Sequence, residues 1–373
     1  MRTPLSDEFG MDIAVFAFSY MPEVVAAVTK AGGMGVLGAV RFTPDELSQA
    51  LDYIDREVGD LPYGVDIVMP AKTEAATGME LAELHEALQK MIPQEHRDFV
   101  ERILDEHGVP KLPPGTEPAR DLLGWTDTTA RPQVELALAR PIKILVNALG
   151  PPPQDIVDEA HAHGVKVAAL VGRTDQALKQ RARGVDIIVA QGTEAGGHTG
   201  EVATMVLTPE VVDAVSPAPV LAAGGIGSGR QVAAALALGA QGVWTGSVWL
   251  DTVECGQSEA MRRKFHAAAA TDAVRSRAYT GKPARQLRTA WTEAWDDPAN
   301  PSPLGMPLQY MLNAEAQDRI RRSGNESLLG TPIGQLVGAM TRTRTVAEVV
   351  AALREEYNRT VEALPRLATA VTP

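Results

Sequence analysis

The sequence predicts an α/β protein, a (β/α)8 TIM barrel with an inserted helical hairpin and a C-terminal helical accessory domain. Short apolar runs typical of buried strands alternate with helical patterns, and the strands recur at intervals of about 20 residues. Consecutive parallel strands need crossover connections, which the intervening helices supply. Eight such units fit a chain of 373 residues that forms one closed barrel with additions.

Eight apolar runs are predicted to form the barrel strands: residues 12–18, 34–39, 63–69, 142–147, 165–171, 185–190, 218–223 and 241–246. The helix from Pro44 to Val58 has the clearest boundary, because Thr43 suits the N-cap and proline is tolerated at the first helical position. A unit of strand, helix, glycine turn and strand at 164–192 recurs at 218–246, as expected of a repeating α/β chain.

Two regions interrupt this alternation. Residues 80–91, with a second helical pattern after Pro93, predict a hairpin inserted at about 72–125, after the third strand. On the C-terminal face of the barrel, this hairpin would be a lid or wall of the substrate site, or alternatively a contact in a homodimer. Residues 1–255 are predicted as the barrel and residues 256–373 as a mainly helical region packed on it. Three arginines of that region, Arg319, Arg321 and Arg322, are expected on a solvated face.

Composition narrows the class of partner. The chain has 47 Asp and Glu against 35 Lys and Arg, a net charge of −12, which argues against a nucleic-acid partner. The single cysteine, Cys255, excludes an internal disulfide framework and a multi-cysteine metal cluster, and it agrees with a reducing cytoplasm. No metal site is predicted. The N-terminus lacks an apolar leader, and Gly239 and Gly242 divide the longest uncharged stretch, so neither a signal peptide nor a membrane span is predicted.

The glycine-rich segment 191–200 is the strongest chemical signal in the chain. Four glycines surround His198 directly after the predicted sixth strand. A backbone without Cβ atoms can lie against a flat ligand and present its N–H groups. The histidine is therefore a candidate for proton transfer. Glu194, in the same segment, is expected to be either a backbone acceptor or a catalytic group.

A second glycine-rich segment, residues 222–229, ends the seventh predicted strand and opens a helix. Free N–H groups at that helix start, together with the glycine backbone, predict an anion site suited to a phosphate. Gly246 and Ser247 follow the next strand, and barrels commonly bind phosphate between the loops after strands seven and eight. The alternative is a pair of tight turns that bind no ligand.

Taken together, segments 31–38, 191–200, 222–226 and 239–247 closely resemble the nitronate monooxygenases, also called 2-nitropropane dioxygenases, and their flavin-dependent relatives. The motifs share their order and barrel positions with that family, over roughly the first 255 residues. The resemblance implies an FMN-dependent oxidoreductase with a small-molecule substrate. Its activity would be oxidation of an alkyl nitronate with O2 to a carbonyl compound and nitrite.

The resemblance also implies roles for individual residues. The FMN phosphate would be held by Gly224, Gly225, Gly246 and Ser247. The isoalloxazine ring would lie against Ala17, Phe18, Asp66, Gln191, Gly192, Gly196 and Gly197. His198 would act as a general base or an electrostatic partner beside the flavin. This sequence departs from the family pattern after the first strand and at Asp66, where relatives carry an amide.

Other activities would share these motifs. One is an NAD(P)H-dependent reductase of the same family, acting on quinones or on enoyl thioesters. Another is an acyl-CoA-directed flavoenzyme, whose pocket the hairpin could enlarge. A binding module for flavin or a phosphate ligand, without turnover, would show the same glycines. The compound that reduces the bound flavin distinguishes these alternatives.

Overall fold

Eight parallel strands close into a barrel in the computed structural model, which describes residues 1–69, 81–116, 127–148 and 150–369. The strands of the protein, in chain order, are β1 (Val15–Ser19), β2 (Met34–Gly38), β3 (Gly64–Asp66), β4 (Ile144–Asn147), β5 (Lys166–Val171), β6 (Ile187–Gln191), β7 (Gly197–His198), β8 (Val220–Ala223), β9 (Gly242–Thr245), β10 (Ala273–Ser276) and β11 (Ala284–Leu287). The barrel order is β1-β2-β3-β4-β5-β6-β8-β9, and β9 pairs with β1 to close it. The predicted (β/α)8 barrel is confirmed.

Helices surround the barrel and extend beyond its C-terminal face. They are α1 (Pro4–Glu8), α2 (Pro22–Lys30), α3 (Pro44–Val58), α4 (Leu81–Met91), α5 (Gln94–Glu106), α6 (Asp127–Leu138), α7 (Gln154–Ala162), α8 (Thr174–Ala182), α9 (Thr204–Val215), α10 (Gly229–Ala237), α11 (Glu259–Ala267), α12 (Ala290–Asp296), α13 (Leu308–Ser323) and α14 (Val346–Thr369). The predicted bounds of α3 are those observed, and the Thr43 side chain accepts a hydrogen bond from the backbone of Glu46.

The last helix belongs to the ring that encloses the barrel. α14 packs against α10 and α2, so it lies beside the junction of β9 and β1. Val346, Val349, Val350 and Leu353 of this helix share one buried cluster with residues of β1, α2 and β9. The layer between β9 and the solvent is thus completed by a segment about 100 residues further along the chain.

The inserted hairpin, α4 and α5, packs on the C-terminal region in a second apolar core. Phe99 of α5 meets Trp295 of α12 edge to face, with ring centroids 4.7 Å apart. Ile103 and Leu104 are buried in the same cluster as Met311 of α13. The structure begins α4 at Leu81, so the part of the predicted insertion within 70–80 and 117–126, Glu80 included, lies outside the described residues.

One arginine expected on a solvated face instead joins the two parts of this core. The side chain of Arg319 is 2% exposed and donates to the carbonyls of Pro110 and Val109 and to the carboxylate of Glu101. Arg321 and Arg322, on the same helix, are half exposed and pair with Asp318. Arg321, two positions further along the helix, lies on the face opposite Arg319, and the groups that cover Arg319 come from the distant hairpin segment.

Among the described residues, no helix is both long enough and apolar enough to cross a lipid bilayer.

We expect Arg319→Met to lower the free energy of unfolding by about 2–4 kcal/mol, because the buried carbonyls and Glu101 lose their donor. Arg321→Met, on the exposed face of the same helix, is the matched control and should cost less than about 1 kcal/mol. Urea unfolding followed by tryptophan fluorescence measures both. Equal losses in the two variants would contradict the buried role of Arg319.

Candidate active site

Side chains at the C-terminal end of the barrel strands define its mouth. Strand residues alternate between the barrel interior and the helix layer. Phe16, Val189 and Trp244 belong to the interior cluster, so Phe18 and Gln191, two positions further along β1 and β6, also face inward. By the same alternation Asp66 faces inward, because Val65 packs in the helix layer. The mouth is therefore lined by the predicted residues Phe18, Asp66 and Gln191.

Ala17 is the predicted site residue whose side chain does not reach the mouth. It is fully buried between β1 and the surrounding helices, in a cluster with Val24, Val28 and Val243. Only the backbone of Ala17 is available to a ligand in the barrel.

The glycines of segment 191–200 are required by close backbone packing. A Cβ on Gly192 would overlap the amide nitrogen of Thr204, at the start of α9. A Cβ on Gly196 would lie 2.8 Å from the amide nitrogen of Gly334. Gly197 has φ of +78° and open space where its Cβ would be. Gly192 and Gly196 thus allow neighbouring backbone to approach. Gly197 leaves open space where another residue would have a side chain.

Two charged side chains hold this segment in place. The Glu194 carboxylate accepts hydrogen bonds from the amide nitrogen of Thr204 at 3.0 Å and from its hydroxyl at 2.8 Å, so it caps the start of α9. The guanidinium of Arg285, on β11, is buried and donates to the carbonyl of Thr193 at 2.7 Å. Of the two roles expected for Glu194, the structure shows the backbone acceptor.

His198 is fixed by the C-terminal region. The backbone of His198 pairs with that of Ala284 in a small sheet of β10, β11 and β7. The Nε2 atom of His198 lies 2.8 Å from the hydroxyl of Thr280. Although one side of the residue is open to solvent, the surrounding protein desolvates the ring, and this burial together with the charge of Lys282 lowers its pKa to about 4. His198 is therefore neutral at pH 7, and one ring nitrogen is free to accept a proton or a hydrogen bond.

Unpaired backbone N–H groups lie at the ends of two neighbouring strands. In the described part of the chain, no hydrogen-bond acceptor faces the amide nitrogens of Gly225 and Ile226 after β8, or those of Gly246 and Ser247 after β9. A Cβ on Gly246 would meet no atom within 4 Å, whereas Gly225 has φ of +67°. These four donors, here called the N–H nest, lie at the adjacent ends of two paired strands, and unpaired backbone N–H groups of this kind can bind phosphate.

The N-terminus of α10, predicted to supply free donors, does not contribute them. Its capping box directs Gln231 Oε1 onto the amide nitrogens of Gly227 and Ser228, and Glu356 of α14 accepts from Gly229. Side-chain acceptors thus satisfy the amides of Gly227, Ser228 and Gly229, and the free donors of Gly225 and Ile226 lie just before them.

Asp66 is a buried acid, and the part of the chain that the structure describes offers its Oδ1 no hydrogen-bond partner. The residue is 5% exposed. Burial raises its pKa to about 7, because a carboxylate in this setting lacks both water and a counter-ion. An orphaned carboxyl at the mouth, four free N–H groups and open glycine backbone together fit a flat ligand that carries a phosphate.

Other residues at the mouth escaped the sequence analysis. The guanidinium of Arg41 lies 4.7 Å from the ring centroid of Tyr20, and the rings of Tyr279 and Tyr310 are 6.1 Å apart. Phe18 packs edge to face on Tyr20. Burial raises the pKa of Tyr20 and of Tyr310, so both phenols remain protonated. Tyr20 and Arg41 follow β1 and β2, and their only sequence signal is this position after a barrel strand. Tyr279 and Tyr310 belong to the C-terminal region, where the sequence gives no such signal.

Comparison with known proteins identifies relatives of the whole chain. Residues 18–356 match the family described as nitronate monooxygenase. A putative monooxygenase of Mycobacterium tuberculosis is 48% identical over 379 residues, which cover 98% of this chain and 99% of that protein. Nitroalkane oxidase of Streptomyces ansochromogenes, 24% identical, superposes with a TM-score of 0.79 over 96% of this chain and 99% of its own, a likeness of fold. FabK of Thermotoga maritima is 25% identical, with a TM-score of 0.73 over 98% and 99% of the two chains.

We expect Asp66→Asn to stabilise the protein without ligand more at pH 8 than at pH 5. The folded chain binds the Asp66 proton more tightly than the unfolded chain does, so stability falls as the pH rises from about 4 towards 7. An amide removes this loss, and the gain should be about 2–3 kcal/mol larger at pH 8. Urea unfolding at the two pH values measures it, with the exposed Asp213→Asn as control. A gain of equal size at both pH values would contradict a buried, neutral Asp66.

Proposed function

Because the chain belongs to the nitronate monooxygenase family, which confirms the resemblance inferred from its motifs, we propose that it oxidises an alkyl nitronate with O2 to a carbonyl compound and nitrite, using FMN. That it is an oxidoreductase follows from the family. The observation that carries the proposal is the nest of unpaired N–H groups after β8 and β9, in the same barrel mouth as a neutral His198.

The residues fit FMN in two respects. The N–H groups of Gly225, Ile226, Gly246 and Ser247 would hold the phosphate. Ser247 Oγ accepts a hydrogen bond from the amide of Gly334 at 2.8 Å, which leaves its O–H as a further donor to the phosphate. Phe18, Gln191 and the open side of Gly197 would lie against the ring. When bound, FMN supplies the oxidation chemistry, accepting electrons from the substrate and passing them to O2.

The protein residues supply binding and control of a proton. A nitronate is an anion, and Arg41 offers a guanidinium that has no ion pair among the described residues. His198 starts neutral and can accept a proton or a hydrogen bond, while Thr280 fixes the orientation of its ring. An anionic substrate would raise the pKa of His198 from about 4, because the charged imidazole gains a partner. A His198 that is neutral before substrate binds favours the role of general base over that of a permanently charged electrostatic partner.

A reductase that takes hydride from NAD(P)H and acts on an enoyl thioester or a quinone is the second candidate. The likeness to FabK over nearly the whole of both chains is the observation that favours it. Anaerobic stopped-flow mixing of the flavin-loaded protein with ethyl nitronate, NADH or NADPH separates the candidates. Fast bleaching by the nitronate alone supports the main proposal, and fast bleaching by a nicotinamide replaces it with the second.

We expect the protein to bind FMN and Gly225→Val to weaken that binding at least tenfold, since valine at φ of +67° strains the loop and places a side chain beside the N–H nest. Gly59→Val is the matched control: Gly59 has φ of +58° at the end of α3, far from the mouth, and should leave the Kd unchanged. Titration of flavin fluorescence gives the Kd values. A wild-type visible spectrum without bound flavin would overturn the choice of cofactor.

We expect His198→Ala to retain FMN but to lower kcat/KM for the nitronate by about 10² or more, the usual contribution of a positioned acid or base. His163→Ala, an exposed histidine at the end of α7, is the control and should keep wild-type kinetics. Oxygen consumption at several nitronate concentrations measures both. Unchanged kcat/KM in His198→Ala would remove this residue from the reaction.

A further inference from the structure

Asp66 occupies a place where a carboxyl group needs a ligand. It lies at the mouth end of β3, between Gly38 of β2 and Val146 of β4. A Cβ on Gly38 would lie 2.8 Å from the ring of Phe18, so apolar atoms crowd this part of the mouth. Despite being 5% exposed, the carboxyl receives no hydrogen bond from any described residue. A buried polar group with no partner in the described parts of the chain points to a bound ligand as its partner.

The charged and titratable groups around Asp66 do not hold it as an ion pair. Tyr20 follows β1, Arg41 follows β2, and Tyr279 belongs to the connection between β10 and β11; all three face this region. The Arg41 guanidinium stacks over Tyr20 and forms no salt bridge with Asp66 among the described residues. On the side of β4, Asn147 is uncharged, and its side-chain amide forms hydrogen bonds with the backbone N–H and carbonyl of Met69. Burial is therefore the dominant influence on the charge of Asp66.

We propose that Asp66 binds the flavin ring as a neutral acid, donating a hydrogen bond from its O–H to an acceptor atom of the ring. A neutral carboxyl is a donor, whereas a carboxylate only accepts, and a flavin ring carries carbonyl oxygens and unprotonated ring nitrogens that accept. Ionised Asp66 would set a negative charge against those acceptors. Flavin affinity then depends on a single proton, and it falls as the pH rises above about 7. This inference rests on the proposed FMN binding.

The test compares wild-type protein with Asp66→Asn and Asp66→Leu. The amide of asparagine donates at every pH, and leucine has the same branched side-chain skeleton, with methyl groups in place of the oxygens, but never donates. We expect the wild-type Kd for FMN, measured by flavin fluorescence, to rise at least tenfold relative to the Asn variant between pH 6 and pH 9. The Leu variant should bind more weakly than the Asn variant throughout. Riboflavin, which has no phosphate, should show the same wild-type to Asn ratio, which separates Asp66 from ionisation of the phosphate.

The outcomes separate this inference from the proposed function. If the wild-type protein and all variants fail to bind FMN at any pH, the cofactor proposal fails. If FMN binds but the wild-type to Asn ratio stays constant from pH 6 to pH 9, Asp66 does not bind as a neutral acid. Equal affinities of the Asn and Leu variants would also overturn the inference, because a residue that merely fills space needs no donor.

Discussion

The close approach of two glycine backbones, at Gly196 and Gly334, is the constraint on which the site depends. No Cβ fits between them, and hydrogen bonds tie the neighbouring segments together: Gly334 donates to Ser247 Oγ, and Gln335 donates to the carbonyl of Glu194. One short segment of the C-terminal region thereby touches the loop after β6 and the loop after β9. Segment 191–200, which carries His198, and the N–H nest keep their relative positions because the backbone at Gly334 and Gln335 contacts both.

This constraint explains why the region after the barrel strands is needed for the site. β11 pairs with Gly197 and His198, Arg285 fixes the carbonyl of Thr193, and Thr280 orients the imidazole. The barrel supplies the floor of the mouth, as its alternating strands dictate. The C-terminal region supplies the contacts that hold segment 191–200 and orient the His198 imidazole above that floor. Local sequence around His198 therefore determines which groups are present, and distant sequence determines how they are oriented.

Features governed by local periodicity could be predicted from the sequence, and features governed by long-range contact could not. Buried parallel strands read as apolar runs, and Thr43 and Pro44 mark a helix start, so the barrel and α3 were predictable. The glycines at 192 and 196 were predicted to lie against a flat ligand, whereas the structure brings the backbone of Thr204 and of Gly334 against them. Arg319 and the start of α10 show the same limit, since hairpin carbonyls and Glu356 come from remote segments. Arg41 has only the weak signal of its position after a barrel strand and Tyr279 has none, because long-range packing brings both to one mouth.

The position of α14 has a consequence for how the chain is made. During synthesis β9 emerges about 100 residues before the helix that covers it, and until then the apolar outer face beside Val243 and Val248 stays open to water. Domains fold as units while the ribosome adds residues in order. The barrel wall therefore reaches its final packing only when the last described helix has left the ribosome, and the nascent protein spends that interval with an exposed hydrophobic seam that chaperones could bind.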